Sequence, residues 1–283
     1  MGVAFHELKF LTLVARRRPL GAVLTFARQD LNVSAEELAR EYGPDFVPDD
    51  AQYVDGLLRQ KLGATAVSSV DNSDYEGATY VANLNEAVDL GRQFDTVVDC
   101  GTSEHVFDIA RAFRNAIALC RVGGRIVHAL PSNSECGHGF YQLSPELFFS
   151  LYSERNGFRD TRVYVADLMN ETSWYRVTPP SNGQRAMANA LAATYILCVT
   201  EKTAEVESIS VQQSDYVRAW DTGAAAHRGT SAFKDAVRRR IKGSAVAGAA
   251  TLLYRGLFAP TGLTRANPHL TRVSIASEIA AAG

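Results

Sequence analysis

The chain predicts a mixed α/β fold, a largely parallel sheet with helices on both faces. Residues 94–133, FDTVVDCGTSEHVFDIARAFRNAIALCRVGGRIVHALPSN, carry most of this reading. Val97 and Val98 sit in an apolar run suited to a strand covered on both faces. A polar turn follows Asp99, and Ile109, Phe113, Ile117 and Cys120 then recur at helical spacing. Residues 125–130 form the next strand, so the unit is a right-handed parallel crossover. Strand-like runs at 21–26, 66–70, 79–82, 162–166 and 193–199, set among helical stretches, extend the pattern. An apolar fraction of 46% against 21% charged residues is enough to bury such a core in a 283-residue chain.

In chain order, residues 1–18 predict an amphipathic helix. Phe5, Leu8, Leu11 and Leu13 would pack inward, with Arg16 to Arg18 solvated where cations complement the helix dipole. Residues 21–26 are the first core strand. Ser34 and Glu37 form a capping box for a helix reaching Tyr42, and Tyr53, Leu57, Leu58 and Leu62 give a second helical face. Residues 30–63 are thus a helical insertion, a substrate wall or structural padding. The second strand ends at Asp71, and Asn83-Leu84 follow the short third strand.

Gly123-Gly124 is expected to end the central helix, and Pro131 to stop the strand after it. Residues 132–145 leave the carboxyl end of that strand as a polar, glycine-punctuated loop, and Pro145 opens the next helix. Residues 167–189, with Trp174-Tyr175 and Pro179-Pro180, read as an irregular excursion. Residues 1–202 form the expected α/β domain. Residues 203–283 form a helical C-terminal extension, with stretches at 215–220, 232–241 and 245–258.

FDTVVDCGTSEHVFD followed by RVGGRIVHALPSN resembles the fourth strand, helix and fifth strand of class I S-adenosylmethionine (SAM) dependent methyltransferases. Glu104-His105-Val106 and the block Gly137-His138-Gly139-Phe140-Tyr141-Gln142 resemble features of the small-molecule branch. The resemblance covers roughly residues 20–202. It implies a Rossmann-like seven-stranded sheet with an antiparallel last strand, and SAM as cofactor. One departure is plain: Phe26-Ala27-Arg28-Gln29-Asp30 stands where a glycine-rich turn is expected, with no glycine.

Carried over residue by residue, the resemblance implies Asp71 for the ribose hydroxyls, and Asn83 and Leu84 for adenine. Asp99, Gly101 and Thr102 would lie near the methionyl end, with Arg28 or Gln29 reaching the cofactor carboxylate. His105 or His138 would be a general base, and Tyr141 an orienting group. Each has a plainer reading. Arg28 could be a surface ion pair, Asp71 and Asn83 turn formers, and the two histidines packed or loop-stabilising groups.

A net charge of −2 supplies no global field for nucleic acid, and the resemblance implies a small-molecule substrate. Four scattered cysteines, with neither CxxC pair nor signal peptide, point to a reducing cytoplasm. No run reaches the roughly 20 apolar residues of a membrane span. No metal is expected, since Asp99, Glu104 and His105 are not a recognised ligand spacing. The C-terminal helices offer a surface for homo-oligomerisation. Two other functions remain open: a methyltransferase-fold enzyme of another reaction class, such as cyclisation or elimination, and a non-catalytic binding relative.

Overall fold

The computed structural model describes residues 2–180, 185–222 and 261–283. The expected parallel half is built from β2 (Gly21–Phe26), β4 (Ala64–Asp71), β5 (Tyr80–Val81), β6 (Phe94–Cys100) and β7 (Cys120–Asn133). β8 (Phe158–Asp167), β9 (Ser173–Val177), β10 (Thr194–Lys202) and β11 (Leu270–Ser274) complete one sheet, in the order β11-β9-β8-β10-β7-β6-β2-β4-β5. β10 runs antiparallel to both β7 and β8, which is the reversed last strand that the resemblance implies.

The sheet has nine strands rather than seven. β9 pairs with β8, and β11 pairs with β9 through Leu270–Val177 to Ser274–Ser173. Residues 167–189 are therefore not wholly irregular, because Trp174 is fully buried and anchors a strand there. The last part of the C-terminal extension is likewise not a helical appendage. β11 closes the sheet edge, and α7 (Ile275–Ala280) joins the core beside α1 (Phe5–Arg17) through Ile275 and Ile279. Of the three stretches expected in the extension, the first is the helix α6 (Ser214–Thr222). Those at 232–241 and 245–258 lie outside the described residues.

Alternation sorts the strand residues into two core layers. Leu24, Phe26, Val97 and Ile126 pack with Phe113 and Ile117 of α4 (Ile109–Leu119) and with Phe148 of α5 (Pro145–Leu151). Their neighbours Val23, Val98 and Val127 pack on the other face. There they meet Leu8 and Leu11 of α1 and Leu57 and Leu58 of α3 (Asp55–Lys61).

The insertion adds β3 (Asp30–Leu31), which pairs with β1 (Gly2–Val3), and then α2 (Ala35–Tyr42). Ser34 caps α2 as expected: its Oγ accepts from Glu37 N, and Glu37 Oε2 accepts from Ser34 N.

Two stop signals act otherwise than expected. α4 ends at Leu119, before the glycines, and Gly123 (φ 79°) lies inside β7 at a break in its register with β6. Lys202, almost fully buried, closes the helix end instead, its Nζ donating to the carbonyls of Ile117 and Cys120. Pro131 does not stop β7, because the register with β10 slips between Thr194 and Tyr195 and Pro131 sits at that bulge.

His6 of α1 is buried and accepts a hydrogen bond at Nδ1 from Trp174 Nε1, 3.0 Å away. Burial holds its pKa down at about 4. The unfolded chain takes up this proton below pH 6.5 while the folded chain does not, so stability falls as pH drops from about 6.5 to about 4. His6→Asn keeps an acceptor near Nδ1 and removes the titration. Urea unfolding of both proteins at pH 7 and pH 4 is expected to show the parent losing about 3 kcal/mol more than the variant.

Candidate functional site

The chain runs from β2 through β4 to β5 in one direction, then restarts at β6 beside β2 and proceeds to β7 in the other. This reversal is a topological switch point. Beyond the carboxyl ends of the strands there, successive crossovers diverge and leave a crevice. Phe26 to Gln29, Asp71, Asp99 to His105 and His138 all follow or end strands on this side.

The first turn is shaped without glycine. Ala27 takes the left-handed conformation (φ 55°) that a glycine would adopt at less cost. Gln29 is fully buried, and its Nε2 donates to the Phe26 carbonyl (2.5 Å) and to Thr102 Oγ1 (3.3 Å). Thr102 Oγ1 donates to the same Phe26 carbonyl at 2.8 Å. A side-chain bridge thus ties the ends of β2 and β6, so the Gln29 amide nitrogen and the Thr102 hydroxyl, both expected near the cofactor, already have partners inside the fold. Gln29 Oε1 remains buried without a partner.

Arg28 also departs from expectation. Its guanidinium lies 3.7 Å from the centre of the Tyr53 ring. It donates to Asp55 Oδ2 and the Glu76 carbonyl, and it pairs with Asp50. These contacts lock the insertion to the loop after β4, so the ion-pair reading of Arg28 holds.

Asp99 is fully buried and spends its carboxylate on its own turn. Oδ1 accepts from the backbone nitrogens of Thr102 and Ser103, and Oδ2 accepts from Ser103 Oγ (2.6 Å) and His128 Nδ1 (2.8 Å). With Nδ1 donating, His128 Nε2 accepts from the Tyr152 hydroxyl at 2.6 Å. The Asp99 carboxylate is a structural hub, not a free cofactor ligand. The sequence reading missed His128 and Tyr152, and a histidine inside an apolar strand was the available signal.

Gly101 adopts φ 76° and leads into a 3-10 turn at Ser103–His105, inside the polar turn expected after Asp99. Asp71 ends β4, and Oδ1 accepts from Asn72 N. Asn83 is exposed and holds a turn through Asn85 and Glu86, while Leu84 is buried in the core.

Two blocks that stand 33 residues apart in sequence, Glu104 and Gly137, meet in space. Phe140 N donates to the Glu104 carbonyl at 2.9 Å, and the Tyr141 hydroxyl donates to the Phe107 carbonyl at 2.6 Å. Tyr141 therefore positions the loop. A Cβ on Gly139 (φ 152°) would stand 2.9 Å from Glu104 Cγ, so only glycine lets the backbone pass this closely.

His138 Nε2 lies 3.3 Å from Glu104 Oε1 and 3.2 Å from the Tyr195 hydroxyl. His105 Nε2 is 3.8 Å from the same carboxylate oxygen. Glu104 is fully buried, and neither oxygen has a hydrogen-bond partner. Burial first, and the charge of Asp99 second, push its pKa up to about 8. Burial, then the neighbouring His138, lowers that of His105. The sequence reading named both histidines and Glu104, but not that His138 meets this carboxylate, and not Tyr195.

No family model matches the chain, and no curated protein matches it. Solved structures do. The N-methyltransferase NodS of Bradyrhizobium japonicum is 10% identical, over 71% of this chain and 97% of its own, with a TM-score of 0.41. A SAM-dependent methyltransferase of Thermotoga maritima is 16% identical over 70% and 90%, with a TM-score of 0.34. TehB of Haemophilus influenzae is 11% identical over 68% and 61%, with a TM-score of 0.37. At these values the likenesses carry no argument about activity, and the fold rests on strand order and direction. Among the described residues, no helix is long and apolar enough to cross a membrane.

Proposed function

We propose that the chain is a SAM-dependent methyltransferase acting on a small-molecule acceptor. The observation that carries this reading is the switch point between β2 and β6, with Asp71 ending β4 on the same side and the Glu104–His105–His138 group beyond β6 and β7. A carboxylate in the position of Asp71 can accept two ribose hydroxyls. His105, held neutral by burial and by His138, is available to take a proton from an acceptor hydroxyl or amine once the methyl donor is aligned with it. Calorimetric titration is expected to show SAM and S-adenosylhomocysteine binding in the micromolar range. Asp71→Ala should weaken both by about 1–3 kcal/mol, the cost of leaving bound hydroxyls unpaired. Absence of heat at millimolar ligand overturns the proposal.

The bridge from Gln29 to Thr102 favours a second reading, in which the fold carries out a reaction other than methyl transfer. The two differ in product mass, since methylation adds a methyl group and cyclisation adds nothing.

A further inference from the structure

We propose that Glu104, His105 and His138 form a binding site for a divalent transition-metal ion of the zinc type. The site is built from the chain itself, and with an ion bound its His105 nitrogen would no longer take the proton assigned to it above. One donor atom from each residue lies within 4.8 Å of the others. Glu104 Oε1 is 3.8 Å from His105 Nε2 and 3.3 Å from His138 Nε2. Tetrahedral donors at zinc bonds of about 2.0–2.1 Å stand about 3.4 Å apart, so the carboxylate and His138 are already at bonding separation. His105, exposed and at the end of a short turn, has about 0.4 Å to close toward the carboxylate, and its donor atom and that of His138 lie within 4.8 Å of each other.

A second, independent observation points to a cation. The Glu104 carboxylate is fully buried, yet neither oxygen accepts a hydrogen bond. A buried carboxylate without a partner is costly. Although His138 approaches to 3.3 Å, Glu104 Oε1 still has no hydrogen-bond partner. An ion bonded to both removes that cost. Two imidazoles and one carboxylate suit zinc, cobalt, nickel or ferrous iron, and disfavour magnesium and calcium, which take oxygen ligands.

The support around the ligands fits the same reading. Asp99 holds the turn that carries Glu104 and His105, through its bonds to the Thr102 and Ser103 nitrogens. Gly139 permits the close pass that brings His138 to Glu104. Three protein ligands leave at least one position for water or an acceptor atom, and the Tyr195 hydroxyl, 3.2 Å from His138 Nε2, would give up that hydrogen bond when the nitrogen binds the ion.

The test uses the full chain, stripped with chelator and dialysed. Calorimetry with zinc, and absorption with cobalt as a reporter, are expected to show a single tight equivalent with visible d–d bands, and no binding of magnesium. His105→Ala, His138→Ala and Glu104→Gln should each weaken zinc binding, the double histidine variant by about a hundredfold or more. Both histidine side chains are more than a third exposed, and circular dichroism will show whether their variants fold. Cys136→Ser controls for the exposed thiol and should leave binding unchanged. No stoichiometric zinc binding by the folded parent overturns the proposal. So does parent-like binding by the double variant, or magnesium binding as strong as zinc.

Discussion

Asp99→Ala is expected to destabilise the chain by about 4 kcal/mol, and to do so at the centre of the candidate site. The substitution strands the His128 ring nitrogen, the Ser103 hydroxyl and two backbone nitrogens in a dry interior. Each buried donor left unpaired costs about 1–3 kcal/mol, and local relaxation recovers part of the sum. Asp99→Asn preserves the shape and part of the bonding, so a cost of about half is expected. Tyr152→Phe should cost only about 1 kcal/mol, because it leaves a single acceptor, His128 Nε2, unmatched. Denaturant midpoints of the three variants test this ranking. If Asp99→Ala unfolds with Tyr152→Phe, the turn does not depend on the carboxylate. A folded Asp99→Ala protein should also lose affinity at the Glu104 group, because the same carboxylate fixes the turn that presents it.

Glu104→Gln is expected to stabilise the metal-free chain at alkaline pH. In the fold the Glu104 carboxyl keeps its proton to about pH 8, against 4.5 for an ordinary glutamate. A folded-state pKa raised in this way contributes stability that is complete below pH 4.5. That contribution is lost as pH climbs to about 8, because the unfolded chain gives up the proton first. The shift corresponds to about 4–5 kcal/mol over that window. Glutamine does not titrate, so in excess chelator variant and parent should have similar stability at pH 4.5 and diverge toward pH 8.5. Equal urea midpoints across the range would mean that the carboxylate is solvated or neutralised by another group. Zinc should reverse the order at pH 8.5, because only the carboxylate of the parent makes a full-strength bond to the ion.

The sequence by itself determined the parallel half of the sheet. Local rules suffice there. Val97 and Val98 face opposite core layers because strand side chains alternate, and Ser34 with Glu37 caps a helix wherever the chain places them. The loop that carries His138 reads as glycine-punctuated, and of its glycines Gly139 is the one that stands at a close pass. Tertiary structure alone decided what each polar side chain does. Arg28, Gln29, Asp99 and Thr102 were read as reaching a cofactor, yet each has nearer partners inside the fold. The distant partners are Tyr53 and Asp55 for Arg28, Thr102 for Gln29, Phe26 for Thr102 and His128 for Asp99, and no local spacing encodes their approach. β11 illustrates the same limit, since it joins a strand that ends nearly a hundred residues earlier. The Glu104 group belongs to this class as well. Its carboxylate meets His138 because a loop docks back on a turn, held there by a backbone hydrogen bond across 36 residues, from Phe140 N to the Glu104 carbonyl.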